Sequence, residues 1–281
     1  MSITASMVKE LRERTSLGMM DCKNALVEAD GDMELAIDNL RKSSGMKAAK
    51  KAGRIASDGL VAIRVGDDRG IMVEVNCETD FAARDDNFTA FVQTVADRVF
   101  DSKESDVKAL TDLDKTREEL VQKIGENISI RRIEVFDTPG VHSYIHTTGK
   151  IGVLLSMEGG KPELGKDIAM HIAATAQTTV VNPEDVSEDI VAKEREIYTA
   201  QAEDSGKPPE IVEKMIDGRI RKYLAEISLT EQAFVKDPDT KVGALLKKEN
   251  AVVTHFVRYD VGEGIEKEEE DFAAEVARQL S

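Results

Sequence analysis

The segment Gly160-Lys161-Pro162-Glu163-Leu164-Gly165-Lys166-Asp167 follows an apolar strand-like run and precedes a helical one. A phosphate-binding loop of the form G-x-x-x-x-G-K-[ST] would lie in such a place. The chemistry that loop needs is missing. Asp167 replaces the hydroxyl that would reach magnesium, Pro162 removes a cradle N–H, and Glu163 sets a like charge against the phosphates. His142, Tyr144 and His146 share one strand face, but strand positions four apart are separated by about 13 Å, too far to share an ion. His171 and His255 stand alone and read as packing. Cys22 and Cys77 belong to no C-x-x-C pair, so neither a zinc site nor a disulfide framework is written. No G-x-S-x-G, H-E-x-x-H or paired Cys–His arrangement occurs. The expectation is a protein without catalytic residues, metal or cofactor of its own.

A second constellation offers recognition in place of reaction. Thr79-Asp80-Phe81-Ala82-Ala83-Arg84-Asp85-Asp86-Asn87-Phe88 joins two regular patterns. Before it, Ile71, Val73, Val75 and Cys77 alternate with other residues as in a strand. After it, Phe88, Phe91, Val92, Val95 and Val99 recur at helical spacing. The corner between them is short and polar yet carries a large aromatic beside a carboxylate. Two readings stand. Phe81 folds back onto its own core while Asp80 caps the next helix, or the pair is held out on a rigid mount for a partner.

Composition favours a protein partner. The chain has 281 residues, 33% of them charged, with a net charge of −16. That balance argues against general binding to a phosphate backbone, so no direct nucleic-acid contact is expected. The opening residues carry no signal-peptide pattern and no window approaches a membrane span, which predicts a cytoplasmic protein.

The elements that must position these residues follow from periodicity. Residues 1–40 read as three short helices, with Ile3 and Val8 flanking a Thr4 cap. Of the adjacent Met19 and Met20, one is expected to face outward. Residues 41–54 hold six basic residues, no acid and no aromatic for base stacking, and read as a solvated linker. Strands are expected at 61–65 and 71–78, helices near 86–101 and 114–125, and a returning strand at 128–136. A second hairpin (141–147 and 151–158), a helix with Leu164, Ile168 and Ile172 inward, and a strand at 252–261 repeat that order. The repeat is interrupted at 184–227 by two long amphipathic helices. They predict an antiparallel hairpin that cannot bury both faces at home. An acidic amphipathic helix with Phe272, Val276 and Leu280 closes the chain. The class is α+β with small antiparallel layers.

Several of these stretches together resemble the bacterial elongation factor Ts family over essentially the full length. Thr-Ser-Leu-Gly-Met-Met-Asp-Cys-Lys at 15–23 is similar to the family's N-terminal signature. Thr79-Asp80-Phe81-Ala82-Ala83-Arg84 is similar to its T-D-F-V-A-[RK] signature, with Ala82 where Val is usual. Ile124-Gly125-Glu126-Asn127 and Gly264-Ile265-Glu266-Lys267 are also family-like. The resemblance implies a ubiquitin-associated-like module and basic linker (1–54) and an N-terminal core subdomain (55–140). It further implies a related C-terminal subdomain (141–179 and 229–263), an inserted coiled-coil hairpin for self-association (180–228) and a C-terminal helical module (264–281). It implies guanine-nucleotide exchange on elongation factor Tu, GDP-bound and nucleotide-free, with Thr79, Asp80, Phe81 and Ala82 displacing the partner's magnesium. Arg12, Met19, Met20, Arg84, Ile124, Gly125, His146 and Phe272 are the further contacts it implies.

Overall fold

The computed structural model describes residues 3–203 and 208–266. These divide into two compact units, one of residues 3–61, 73–133 and 260–266, the other of 62–72, 134–203 and 208–259. In chain order the elements are α1 (Ala5–Thr15), α2 (Met19–Glu28), α3 (Met33–Lys51), β1 (Asp58–Val65), β2 (Gly70–Cys77), α4 (Asp80–Ala83), α5 (Asp86–Ser102), α6 (Asp114–Ile124) and β3 (Ser129–Phe136). There follow β4 (Val141–Ile145), β5 (Ile151–Gly159), α7 (Pro162–Ala174), α8 (Glu188–Glu203), α9 (Pro209–Ile227), β6 (Ala233–Phe234), β7 (Asp237–Lys241), α10 (Val242–Lys248) and β8 (Ala251–Asp260). The architecture is mixed helix and sheet, α+β.

In the first unit, α1–α3 form a small bundle in which Leu11, Cys22, Leu26 and Ala36 are fully buried. Thr4 accepts from the Met7 N–H at 3.3 Å and Asp32 from the Leu35 N–H at 3.0 Å, so α1 and α3 each have a first-turn donor satisfied. Two expectations are corrected here. The basic run is not a linker over most of its length, because α3 continues to Lys51. Lys, Ala and Met are good helix formers, and burial of Ser44 and Ala48 gives the extension an inner face, packed against α6. Lys47 meets Asp21 at 3.0 Å. Met19 and Met20 also differ from expectation, since both face outward, 61% and 64% exposed.

Three strands form one sheet in the order β1-β2-β3, and three more form another in the order β4-β5-β8. In each, the second arm of a hairpin is central and the last strand returns beside it. β4 and β5 are antiparallel, with Ser143 opposite Leu154. Every position of β2 is buried, so the alternation seen in its sequence marks two covered faces. The cost falls on Glu74, whose side chain is fully buried. Burial alone would push its carboxyl up; the Gly262 N–H (2.9 Å) and the guanidinium groups of Arg131 (3.0 Å) and Arg132 outweigh it, and the carboxyl is held below the usual range. This carboxylate ties β3 and the Gly262 turn to the middle of β2.

In the second unit, α7 lies on β4 and β5, with Ile168 and Ile172 fully buried among Val153, Leu155, Val253 and Phe256. Gly165 makes the approach possible: a Cβ there would fall 2.2 Å from the His142 ring. The stretch 160–167 is therefore mostly helix, with α7 starting at Pro162 and Lys166 inside it, and no loop is left to wrap a phosphate. Asp167 is occupied by Lys236 at 2.6 Å. The paired helices α8 and α9 pack along each other, with Arg195 bonded to Asp217 at 2.8 Å. Ile190, Ile197 and Ile211 stay exposed on them. The pair β6–β7 and helix α10 were not foreseen; the runs are too short and polar for a periodic signal. Sequence positions 267–281, including Phe272 and the expected C-terminal helix, lie outside the described residues.

His171 is buried inside α7. Its Nδ1 accepts from the Val235 N–H at 3.2 Å, so the proton sits on Nε2 and is donated to Gln232 Oε1 at 2.9 Å. Burial holds the imidazole below its ordinary value of 6.5. The unfolded chain then binds a proton that the fold resists, so stability is complete above pH 6.5 and falls as pH drops below it. The melting temperature should fall between pH 7.5 and 5.5 by more in the native protein than in a His171→Gln variant. Glu74 acts in the same sense in a lower pH range. Glu74→Gln should cost about 2–3 kcal/mol at neutral pH, because Arg131 loses its charge partner and Arg132, which also meets Glu263 at 3.4 Å, loses the nearer of two. That gap should narrow as pH falls below the ordinary Glu value of 4.5, measured by denaturant unfolding.

Candidate functional site

The corner after β2 is built to hold an aromatic outward. Thr79 has extended backbone and its hydroxyl accepts from the Ala82 N–H at 3.2 Å, which starts the single turn α4. Ala82 and Ala83 are both buried, 4% exposed each, and form the foot of that turn. Phe81, between Asp80 and that foot, is 80% exposed. The reading in which Phe81 folds into its own core is thereby excluded. So is the reading of Asp80 as cap of the next helix. Asp85 does that work, accepting from the Asn87 N–H at 2.8 Å and the Phe88 N–H at 3.4 Å. The side-chain amide of Asn87, then burial, then those N–H groups act on the Asp85 carboxyl, and the net effect holds it below its usual range. The next turn buries Phe88 completely, which anchors α5 directly beneath the corner.

Asp80 points along the surface of α4, where Arg84 donates to it at 2.8 Å. Both partners are solvated, so the pair contributes only about 0.3–0.5 kcal/mol and yields readily to a competing group. Ala82 is inward, so the two methyls by which it falls short of valine are missing from the foot and not from the face carrying Phe81.

What stiffens the corner comes from the loop after α6. Ile124 ends that helix, half-buried, and Gly125 follows with φ +87°, a left-handed conformation that suits glycine. The turn brings Glu126 back against the corner. Its Oε2 accepts from the N–H groups of Glu78 and Thr79, both at 3.0 Å, and its Oε1 accepts from the Thr79 hydroxyl at 2.6 Å. In return the Glu78 carboxylate accepts from the Asn127 N–H at 2.6 Å. The Asn127 amide donates to the Arg54 carbonyl at 2.8 Å, and Lys51 donates to the Gly125 carbonyl. The end of α3, the 125–127 loop and the Phe81 corner are one hydrogen-bonded assembly. Glu78, Glu126 and Asn127 were absent from the residues singled out as contacts. The family-like stretch Ile124-Gly125-Glu126-Asn127 pointed to Glu126 and Asn127, and nothing pointed to Glu78.

In the same unit, Arg12, Met19 and Met20 come together with Ile3, Val8, Lys9 and Lys23 around a groove of about 580 Å3. Its lining joins apolar side chains to the cationic Lys9, Arg12 and Lys23. His146 belongs to the second unit, exposed after β4, with Tyr144 Oη at 3.5 Å from its Nδ1. Among the described residues no cluster of His, Cys, Asp or Glu is placed to hold a metal, and no helix is long and apolar enough to cross a membrane. Both cysteines are buried thiols.

An exposed aromatic on a braced turn suits contact with another surface, the geometry of a class of binding factors. The comparisons with known proteins say which. The family described as Elongation factor TS matches residues 78–263. The elongation factor Ts of Hahella chejuensis is 62% identical over 283 residues, covering 99% of this chain and 99% of that protein. Those of Teredinibacter turnerae and Saccharophagus degradans are 57% and 55% identical, over 100% of this chain and 98% and 99% of theirs. The chain belongs to the elongation factor Ts family. It is a translation elongation factor, not a catalyst of a chemical reaction.

Because Phe81 is mostly exposed in the free protein, Phe81→Ala should change unfolding free energy by less than about 0.5 kcal/mol. Denaturant titration measures it, and a loss above 2 kcal/mol would mean that the ring is part of the core (about 3–5 kcal/mol for a buried Phe).

Proposed function

We propose that this protein accelerates GDP release from elongation factor Tu by inserting the Phe81 corner beside the partner's nucleotide. The observation that carries the reading is the outward Phe81 on a turn whose stem is held by Glu126. Burying such a ring on docking is worth about 1.5–3 kcal/mol, available only in the complex. Phe81 wedges between partner helices near the phosphate-binding loop. Thr79, Asp80 and Ala82 follow it and disturb the shell that holds magnesium. Once magnesium leaves, the diphosphate loses its charge neutralisation and departs faster. Each tenfold acceleration needs about 1.4 kcal/mol of preference for the nucleotide-free partner. Linkage then requires incoming nucleotide to weaken the factor's binding by the same factor, so both GDP-bound and nucleotide-free partner are bound in turn.

The remaining contacts are assigned in the same spirit. Arg12, Met19 and Met20 of a ubiquitin-associated-like module (1–54) meet the partner's nucleotide domain; their shared groove supports this. Arg84 releases Asp80 and turns to the partner. Ile124 and Gly125 contribute through the loop that braces the corner, His146 from the second core subdomain, and Phe272 from a C-terminal module (264–281). The two sheets, each a hairpin with its returning strand on the central arm, support two related subdomains at 55–140 and at 141–179 with 229–263. The helical hairpin at 180–228 serves self-association, which its exposed Ile190, Ile197 and Ile211 support.

The test is release of fluorescent GDP from elongation factor Tu of the same organism. The native protein should accelerate it by orders of magnitude, and Asp80→Ala and Phe81→Ala should each lose at least about tenfold of that, the worth of one lost contact of about 1.4 kcal/mol. Binding without acceleration would leave a scaffold, and the wedge mechanism would be wrong.

A further inference from the structure

We infer that Glu126 is a positioning residue for exchange: it acts through Thr79 to present Asp80 and Phe81 in a single orientation. The inference rests on the exchange reading above. One carboxylate here receives three donors from two consecutive residues, the Glu78 N–H and Thr79 N–H on Oε2 and the Thr79 hydroxyl on Oε1. Those bonds fix the peptide plane that enters α4. They also fix the Thr79 side chain, whose oxygen is left facing the Ala82 N–H.

The corner's other bonds are local: Cys77 Sγ donates to the Thr79 carbonyl at 3.2 Å and Arg84 to Asp80 at 2.8 Å. A one-turn helix has no stability of its own. Its foot is two alanines, too small to set the direction of a neighbouring aromatic by packing. Thr79 is exposed and Glu126 only half-buried, so the bonds are not there to relieve polar groups trapped in a core. The return bond from Asn127 to Glu78 makes the brace mutual, and the Asn127 amide extends it to the end of α3. An unbraced corner would have to be ordered on docking, and that entropy would be drawn from the energy that displaces the nucleotide. Misplacement of a working group by about 1 Å can cost a hundredfold in rate.

The test compares wild type, Glu126→Ala, Glu126→Gln, Thr79→Val and Phe81→Ala, all as the full chain. Release of fluorescent GDP from elongation factor Tu is followed over a range of factor concentrations. Glu126→Ala should lower the saturating release rate by about tenfold or more while moving the half-saturating concentration by less than about threefold. Glu126→Gln keeps one oxygen for the two backbone donors and should recover most of the rate. Thr79→Val, which removes only the hydroxyl, should lose rate in the same sense, and the double variant with Glu126→Ala should lose less than the product of the two. In the free proteins, hydrogen exchange at the amides of residues 78 and 79 should be faster in Glu126→Ala than in wild type. A Glu126→Ala protein that saturates at the wild-type rate, or whose whole loss lies in the half-saturating concentration, would overturn the inference. Normal release with Phe81→Ala would instead overturn the exchange reading itself, however Glu126 behaves.

Discussion

A single carboxylate, that of Glu126, bonds the backbone and side chain that lead into the Phe81 corner. An exposed phenylalanine is a poor thing for an isolated protein to carry, since solvent drives it toward whatever apolar surface is near. Here the backbone on its N-terminal side is bonded in place and the residues on its C-terminal side are buried. The ring is left with no route inward. Rigid presentation of an apolar group is what a docking element needs, because the ordering cost is met during folding and not at the moment of encounter.

The same logic recurs around Glu74, deeper in the first unit. A charge in the middle of a strand covered on both faces would be ruinous alone. Shared among Arg131, Arg132 and the Gly262 N–H, it becomes the point where β2, β3 and the turn after β8 are joined. Both carboxylates collect partners from segments far off in sequence. Glu126 reaches back 47 residues to Thr79, and Glu74 reaches forward 188 to Gly262. The first unit is thus assembled from polar tethers at the Phe81 corner and around Glu74 as well as from its apolar centre.

Much of the local structure was readable in advance. The period-2 run of β2, the period-3.6 run of α5 and the Thr4 cap each carry their signal within a dozen residues, and each element formed where the pattern placed it. Reading failed where local composition and tertiary contact disagreed. The basic run at 41–54 looked like solvated chain, yet contact with α6 gives residues up to Lys51 a buried face and they stay helical. Met19 and Met20 turned outward together because Gly18 begins α2 and the buried side of that helix is taken by Cys22, Ala25 and Leu26.

Taken by itself, the chain determined its fold class, the order of its longer elements and the place of a polar corner carrying Phe81. Those follow from side-chain type and spacing along a few turns or strands. Which way Phe81 faces was decided only by the tertiary structure. Its direction depends on hydrogen bonds from a loop closed by Gly125 after an intervening pair of helices, and no pattern within the corner's own residues encodes them. Gathering Arg12, Met19 and Met20 onto one groove is likewise a property of how α1 and α2 pack, not of either helix alone.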